Sequence, residues 1–510
     1  MNSRTRYLTT LAIGALAFAF AWPIQDAGDN ARAHFALVRA LADGTPEIDE
    51  SLSHPALRTI DVSQFEGSSY AAKPPGLAAA SLPPYLALEA AGVETADDPD
   101  RPVWALHLWA VVLPAVALLL LVRRFADRVE PRYGTIAAVT LGAATLVLPF
   151  STLFFNHILS TALGFLAFAL LHREHETAPR PWLAAAAGVS AGLAVAVEYP
   201  LGLVAVALTA YFLAGAVRLR RAAAYAAGAV AGVAPLLVFN AWAFGSPFRL
   251  SYEGWHYPGS EPLPGVFGLA FPSLDVLLRI LFDPGGIAPV LAPAIVGAVL
   301  LWRRGDRWVA TIPMLVTGLF LVYDSANVNP FGGSSPGPRY LLPVLPFLAI
   351  PLAAAWRAIP GVTAGLAVGA ALFMAGATMT SPLGAGDQQV LHRLTTGGYV
   401  DSAAAFAGFH GGFAAAPFLV ALALAAGAAV LVTPLPRRRS REAVAALIAG
   451  GGWAVLMTQT PRFLREGDAG ELAVVLVVCI TAALVFLAYR ASVSLKIPPP
   501  ARSHPSGTKQ

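Results

Sequence analysis

A single cysteine, Cys479, is all the thiol chemistry in 510 residues. It excludes an intrachain disulfide and any C-x-x-C redox or zinc element. Charge is scarce as well: Asp, Glu, Lys and Arg make up 13 % of the chain, where an average soluble domain has about 25 %. That is too little polar surface to coat the several globules such a length would ordinarily form. Lysine is scarcest of all, since Lys73 is the only one before residue 496. No HExxH, P-loop or GxGxxG pattern occurs, so the sequence gives no motif for a zinc hydrolase or a nucleotide site. A formal charge of +4 is too small to imply a nucleic-acid partner.

What the chain has instead is hydrocarbon. Apolar residues make up 56 % of it, and mean hydropathy is +0.63. They come in blocks of roughly twenty, the length that crosses a bilayer core of about 30 Å. The expected spans are 7–24, 102–122, 135–150, 155–171, 182–198, 200–217, 222–243, 285–302, 308–323, 340–356, 361–380, 414–433, 443–460 and 471–489. The sequence therefore describes an all-α polytopic membrane protein of about 12–14 transmembrane helices. The stretch 76–92 is apolar but short and interrupted by Pro83 and Pro84, which reads as a helix lying at the membrane face. The first span is short and ends in small residues like a signal peptide. No soluble domain follows it, so it reads as a retained helix.

Loop charges orient the spans. With the N-terminus inside, the inner segments hold 23 of the 34 basic residues and only 6 of the 30 acidic ones. Basic loops stay on the cytoplasmic side during insertion. The long loops then fall outside: 25–101, 244–284, 324–339 and 381–413. A chain that spends its non-membrane residues on one side works on that side. The Pro-rich tail 497–510 reads as a disordered cytoplasmic end, and no internal repeat is visible of the kind that marks many transporters.

The loop 25–101 carries thirteen acidic residues. Within it, 30–43 has apolar residues at 35, 37, 38 and 41, the stripe of an interfacial amphipathic helix. Asp29 stands at its start, where a carboxylate either caps free backbone N–H groups or does chemistry. Further on, SSYAAKPPG (68–76) holds Lys73 ahead of two prolines that fix the backbone. Asp61, twelve residues upstream, is a candidate partner. FGGSSPGPR (331–339) supplies turns and ends in Arg339 at an outer membrane boundary, against the positive-inside bias. An anion is expected beside it, either an acidic side chain or a phosphate that fits the guanidinium fork. Asn156 and His157 open the fourth span, Glu198 closes the fifth, and FGSPFRLSYEGWHYPG (244–259) mixes aromatics with Arg249, Glu253 and His256. Metal-ligand spacing is absent, so the one metal the sequence admits is a divalent cation held by carboxylates.

The order of these elements resembles the GT-C superfamily of polytopic glycosyltransferases, and within it glycosyltransferase family 39. That branch includes protein O-mannosyltransferases and lipid A aminoarabinose transferases. The residues that carry the resemblance are Asp29 opening an amphipathic helix, Arg32 three residues on, Gly44, and the aromatic-x-x-Lys-Pro of Tyr70, Lys73 and Pro74. AHFALVRALADGTPEID, YAAKPPG and PFGGSSPGPRYLLPVLPFLA are also similar to bacterial relatives. Together they cover most of residues 1–360.

The resemblance implies a GT-C-like catalytic module over 1–360, including outer loop 25–101, and C-terminal helices over 361–496 with outer loop 381–413. It implies a polyprenyl-phosphate sugar donor, Asp29 as base towards an acceptor hydroxyl, and Lys73 and Arg339 on the donor phosphate. Arg32, His34, Asp61, Asn156, His157, Glu198, Glu253 and His256 are then candidates for orienting substrate. The acceptor is a glycan, lipid or protein, and the site faces outwards from a bacterial cytoplasmic membrane. Two departures stand out: Asn30 replaces the Glu of the family's D-E pair, and Asn156 and His157 stand where some relatives have a second Asp. The competing readings are a transporter, a carrier-lipid flippase or scaffold, and a lipid-linked glycan ligase or polymerase. The transporter fits poorly, because charges sit at the span ends rather than in mid-membrane.

Overall fold

Hydrocarbon leaves the backbone few ways to satisfy its N–H and C=O groups, and the α-helix is the local one. The computed structural model is accordingly predominantly helical, and it describes residues 3–93, 96–176, 180–215, 218–253, 268–380, 382–383, 387–434 and 439–494. Among the described residues every expected span is met by helix. Eight helices among the described residues are long and apolar enough to cross a membrane by length and composition: Asp100–Val129, Leu219–Phe244, Arg307–Ser325, Arg339–Ala358, Pro360–Thr380, Ala415–Val432, Ser440–Glu466 and Asp468–Tyr489. The tail 497–510 lies outside the described residues.

One span differs from its expected form. Instead of a single helix over 135–150 there are two, Gly134–Ala143 and Val147–Phe150. The break has a local cause. Thr145 Oγ1 donates to the Leu141 carbonyl at 2.6 Å and accepts from Val147 N–H at 3.1 Å, so a side chain competes with the helical ladder. The long helix Asp100–Val129 also carries a wide π-type turn at Leu108–Val112, just ahead of Pro114, which has no N–H to donate.

Small residues set the closest packing. Gly188 and Gly192 on helix Pro181–Val197 face Gly228 and Gly232 on helix Leu219–Phe244. A Cβ on Gly188 would meet the Tyr225 carbonyl at 2.2 Å, and one on Gly228 would meet the Ala185 carbonyl at 2.1 Å. Two small-xxx-small stripes thus let the backbones touch, the usual basis of helix association where the solvent is lipid. Helix Gly412–Val432 lies along helix Ser3–Ala21. Nearby, Pro23–Ile24 pairs antiparallel with Asp401–Ser402.

The two ends of the bundle differ in chemistry. At the end of the basic loops, Glu130 is buried and takes Arg304 and Arg357, each at 2.6 Å, from two other helices. Glu174 forms a bidentate pair with Arg221. The arginines on Glu130 are partly exposed, which weakens each pair. Glu130→Gln still leaves two guanidinium groups facing no anion, and we expect it to cost about 1–2 kcal/mol. Thermal unfolding in detergent checks this, with an unshifted melting temperature as the contrary result.

At the other end the long loops fold over the bundle. Helix Asp29–Ala42 packs on helix Gly76–Ala90, with Phe35 and Tyr85 ring centroids 6.0 Å apart. Between them a hairpin pairs Val62–Phe65 with Ser68–Ala71. Its turn is Glu66–Gly67, both at positive φ, the backbone that two-residue hairpins favour.

Candidate functional site

The hairpin builds the site. Its register sets Val62 opposite Ala71, and one step further out Ala72 N–H donates to the Asp61 carbonyl at 2.9 Å. Asp61 and Lys73, twelve residues apart in sequence, therefore flank the open end of one hairpin. Lys73 Nζ lies 2.7 Å from Asp61 Oδ2. The lysine is 5 % exposed, and Asp61 is the outer, more accessible partner. Phe244 anchors the hairpin through Tyr70 at 5.0 Å and Phe65 at 5.9 Å, with the Arg249 guanidinium 4.4 Å above Phe65.

Lys73-Pro-Pro-Gly then runs directly into helix Gly76–Ala90. A Cβ on Gly76 would lie 2.6 Å from the Val197 side chain and 2.8 Å from the Ala196 carbonyl. Only glycine lets this helix start against the end of helix Pro181–Val197, one residue short of Glu198. The lysine element and the Glu198 element are thereby locked together.

Asp29 is the first residue of its helix, and its side chain does not cap that helix. Asp29 Oδ1 instead accepts from Ile60 N–H at 3.1 Å, and its carbonyl accepts from Thr59 Oγ1 at 2.8 Å. Thr59 Oγ1 in turn accepts from Asp61 N–H at 3.1 Å. Segment 59–61 is thus a strap between Asp29 and the partner of Lys73. Asp29 is exposed to water while Lys73 is buried.

Arg339 opens the short helical turn Arg339–Val344 that leads into the bundle. Its guanidinium sits between the rings of Phe155 and Tyr340, 5.7 and 5.6 Å from their centroids. Its buried Nε makes no hydrogen bond. Gly332, at φ +70°, backs it, and a Cβ there would stand 2.2 Å from Nε. The glycine-rich stretch read from the sequence is therefore the bed of the arginine. Electrostatics join the groups: burial lowers the Lys73 pKa, Asp61 most strongly opposes this, Arg339 lowers it further and Asp29 raises it. Asp61, Arg339 and Asp29 all act on Lys73, which stands among two anions and a second cation.

A second buried group lies beside it. Glu198 accepts from Ser160 Oγ at 2.5 Å and pairs with His157 Nδ1 at 2.7 Å. That leaves His157 Nε2 buried without a partner. Asn156 Nδ2 donates to the Val197 carbonyl at 2.8 Å. His34 is fully buried, neither ring nitrogen is hydrogen-bonded, and its pKa lies well below the ordinary histidine value. Burial is the main cause, with Lys73 and His157 adding to it. His34 thus connects the two groups.

The remaining sequence candidates divide. Arg32 reaches the Arg58 carbonyl at 3.4 Å, on the same strap. Glu253 is turned to local work: it accepts from Leu250 N–H at 3.0 Å and lies 3.8 Å from Arg249. His256 lies outside the described residues. Tyr252 and Tyr340 were not singled out by the sequence. The Tyr252 ring lies 6.0 Å from Lys73 Nζ, and its phenol is held well above its usual pKa, first by burial and then by Tyr340, Tyr199, Asp61 and Glu198. Tyr340 directly follows Arg339, the one signal that could have drawn attention to it. No group of three His, Cys, Asp or Glu side chains able to hold a metal occurs among the described residues.

An all-α membrane bundle, with acids and cations assembled where its long loops meet one end, defines a class of membrane protein with a polar site at the bilayer boundary. Known proteins narrow the class. Residues 96–242 match the family model for dolichyl-phosphate-mannose-protein mannosyltransferases. The crystal structure of ArnT from Cupriavidus metallidurans bound to undecaprenyl phosphate is similar at 13 % identity, over 97 % of this chain and 81 % of that chain, with a TM-score of 0.50. The apo oligosaccharyltransferase of Archaeoglobus fulgidus aligns over 89 % of this chain and 60 % of that chain at 13 % identity, with a TM-score of 0.47. No curated protein matches the chain. The chain shares its overall fold, a polytopic membrane bundle of helices, with ArnT.

Proposed function

We propose that this chain is a glycosyltransferase that moves a sugar from a polyprenyl-phosphate donor to an acceptor hydroxyl at the outer face of a bacterial cytoplasmic membrane. The observation that carries the reading is the buried ammonium of Lys73, paired to Asp61 and acted on by the half-buried Arg339 guanidinium and the exposed Asp29 carboxylate. Such a site suits a reaction in which one substrate comes from water and the other from lipid. The Asp29 carboxylate takes the proton of the acceptor hydroxyl as its oxygen attacks the anomeric carbon. The bond from that carbon to the phosphate oxygen breaks, its electron pair stays on the phosphate, and polyprenyl phosphate leaves. Lys73 and Arg339 neutralise the charge that grows there. One displacement inverts the anomeric centre.

His34, Asn156, His157 and Glu198 contribute hydrogen-bonding groups beside the cations, suited to orienting sugar hydroxyls. The isoprenoid tail lies against helices Asp29–Ala42 and Gly76–Ala90. In this reading residues 1–360 form the catalytic module and residues 361–496 support it. The ArnT crystal structure has undecaprenyl phosphate bound, which makes the same carrier the natural probe here. The test is reconstitution in liposomes with polyprenyl-phosphate sugars. Acceptor-dependent appearance of polyprenyl phosphate is the expected result. Solute uptake or lipid flipping without sugar transfer would favour a transporter or flippase instead.

If Arg339 holds the phosphate, its glycine bed should matter too. Gly332→Ala is expected to displace the guanidinium and weaken binding of undecaprenyl phosphate about tenfold, equivalent to about 1.4 kcal/mol. A titration of purified protein checks it, and unchanged affinity would speak against the arginine.

A further inference from the structure

At rest, Lys73 is already occupied. Its ammonium is 2.7 Å from Asp61, so a donor phosphate must either join Asp61 or replace it. Charge counting favours replacement. Asp29 and Asp61 balance Lys73 and Arg339, and the resting cluster is neutral. A sugar phosphodiester adds one negative charge in a buried place, and the lipid phosphate left after transfer adds still more. An uncompensated buried charge is costly, so the anion that gives way is the one standing where the phosphate must bind, on Lys73. Asp29 is held by Ile60 N–H. The Asp61 carboxylate has Lys73 as its only ion-pair partner among the described residues and is the more exposed of that pair. The Asp61 backbone stays fixed, its carbonyl on Ala72 N–H and its N–H on Thr59. Release of the lysine is therefore assigned to the Asp61 side chain, with its backbone held in place.

We propose that Asp61 is a placeholder for the donor phosphate: it keeps the buried Lys73 charged and aimed while no donor is present, and swings towards solvent when the phosphodiester arrives. This deepens the reading of Lys73 as the phosphate ligand and rests on it. Asp61 is a positioning residue, acting through Lys73 and not on substrate. The groups facing Lys73 are Asp61, Arg339, Asp29, His34 and the Tyr252 ring. Asp61 opposes the effect of burial on Lys73 more strongly than Asp29 does. Without Asp61, the ammonium is the form that suffers.

The experiment is binding of undecaprenyl phosphate to purified full-length protein between pH 7 and 9.5, comparing wild type with Asp61→Asn and Asp61→Glu. The phosphate's own ionisation is common to all three proteins, so ratios to wild type isolate the lysine. Asp61→Asn removes a competing anion and is expected to bind about fivefold tighter than wild type at pH 7. Its advantage shrinks and then reverses as pH rises, because the unsupported lysine loses its proton earlier. Asp61→Glu restores the wild-type profile. Equal affinity of Asp61→Asn and wild type at every pH would overturn the proposal, as would a uniform loss that Asp61→Glu fails to rescue. Failure of the underlying reading looks different: Lys73→Ala would then bind undecaprenyl phosphate as well as wild type does.

Discussion

Asp29→Asn is expected to lower sugar transfer by about 10²–10⁴-fold, the usual contribution of a positioned general base, with the protein still inserted and folded. The substitution is discriminating because of what it leaves in place. Asp29 Oδ1 accepts from Ile60 N–H, and the amide oxygen of Asn can accept the same bond. The Thr59 hydroxyl bonds to the Asp29 backbone carbonyl, which the substitution does not touch. Geometry survives and basicity does not. The loss should appear in kcat with little change in carrier binding, since Asp29 lies on the water side and Lys73 on the buried side. Near-normal turnover by Asp29→Asn would show that the base is another group.

Lys73→Ala is expected to act on the other substrate. A hydrogen bond to a charged group contributes about 1.5–3 kcal/mol, so affinity for the carrier phosphate should fall about 10–100-fold. Arginine is an imperfect replacement, because a planar fork does not reproduce a compact ammonium held 2.7 Å from a carboxylate. Lys73→Arg should therefore recover only part of the binding. Titration with undecaprenyl phosphate distinguishes these outcomes, and full affinity in Lys73→Ala would remove the lysine from the phosphate site.

The membrane part of the fold was legible because lipid imposes a strong rule: about twenty apolar residues make a helix, and among the described residues each such block is helical, with one break near Thr145. Local competition was less visible. The break at Thr145 turns on one hydroxyl bonding its own helix, and apolar periodicity does not register that. Strands of four residues were missed for a related reason. In VSQFEGSSYA the Glu66–Gly67 turn is the only cue, and it needs the hairpin register to show that Asp61 and Lys73 become neighbours. The pairing of Pro23–Ile24 with Asp401–Ser402 joins segments far apart in the chain and leaves no trace in either.

Within the site, rarity was the best guide. Lys73 stood out as a lone lysine, and Arg339 as a cation on the wrong side for insertion. Both meet in one electrostatic cluster with Asp29. Glu198 stood out as a carboxylate at a span end, and it proves to be satisfied by His157 and Ser160. Tyr252 and Tyr340 were hidden by abundance, because tyrosines at a membrane interface are ordinary. Glu253 was singled out as a charged residue in an aromatic loop, and its carboxylate accepts from Leu250 N–H three residues back.

The most direct measurement is a structure determined with undecaprenyl phosphate in lipid nanodiscs. Phosphate density within hydrogen-bonding distance of both Lys73 Nζ and the Arg339 guanidinium, with the Asp29 carboxylate on the facing side, is the expected result. Phosphate bound elsewhere on the protein, with Lys73 still paired to Asp61, would contradict it.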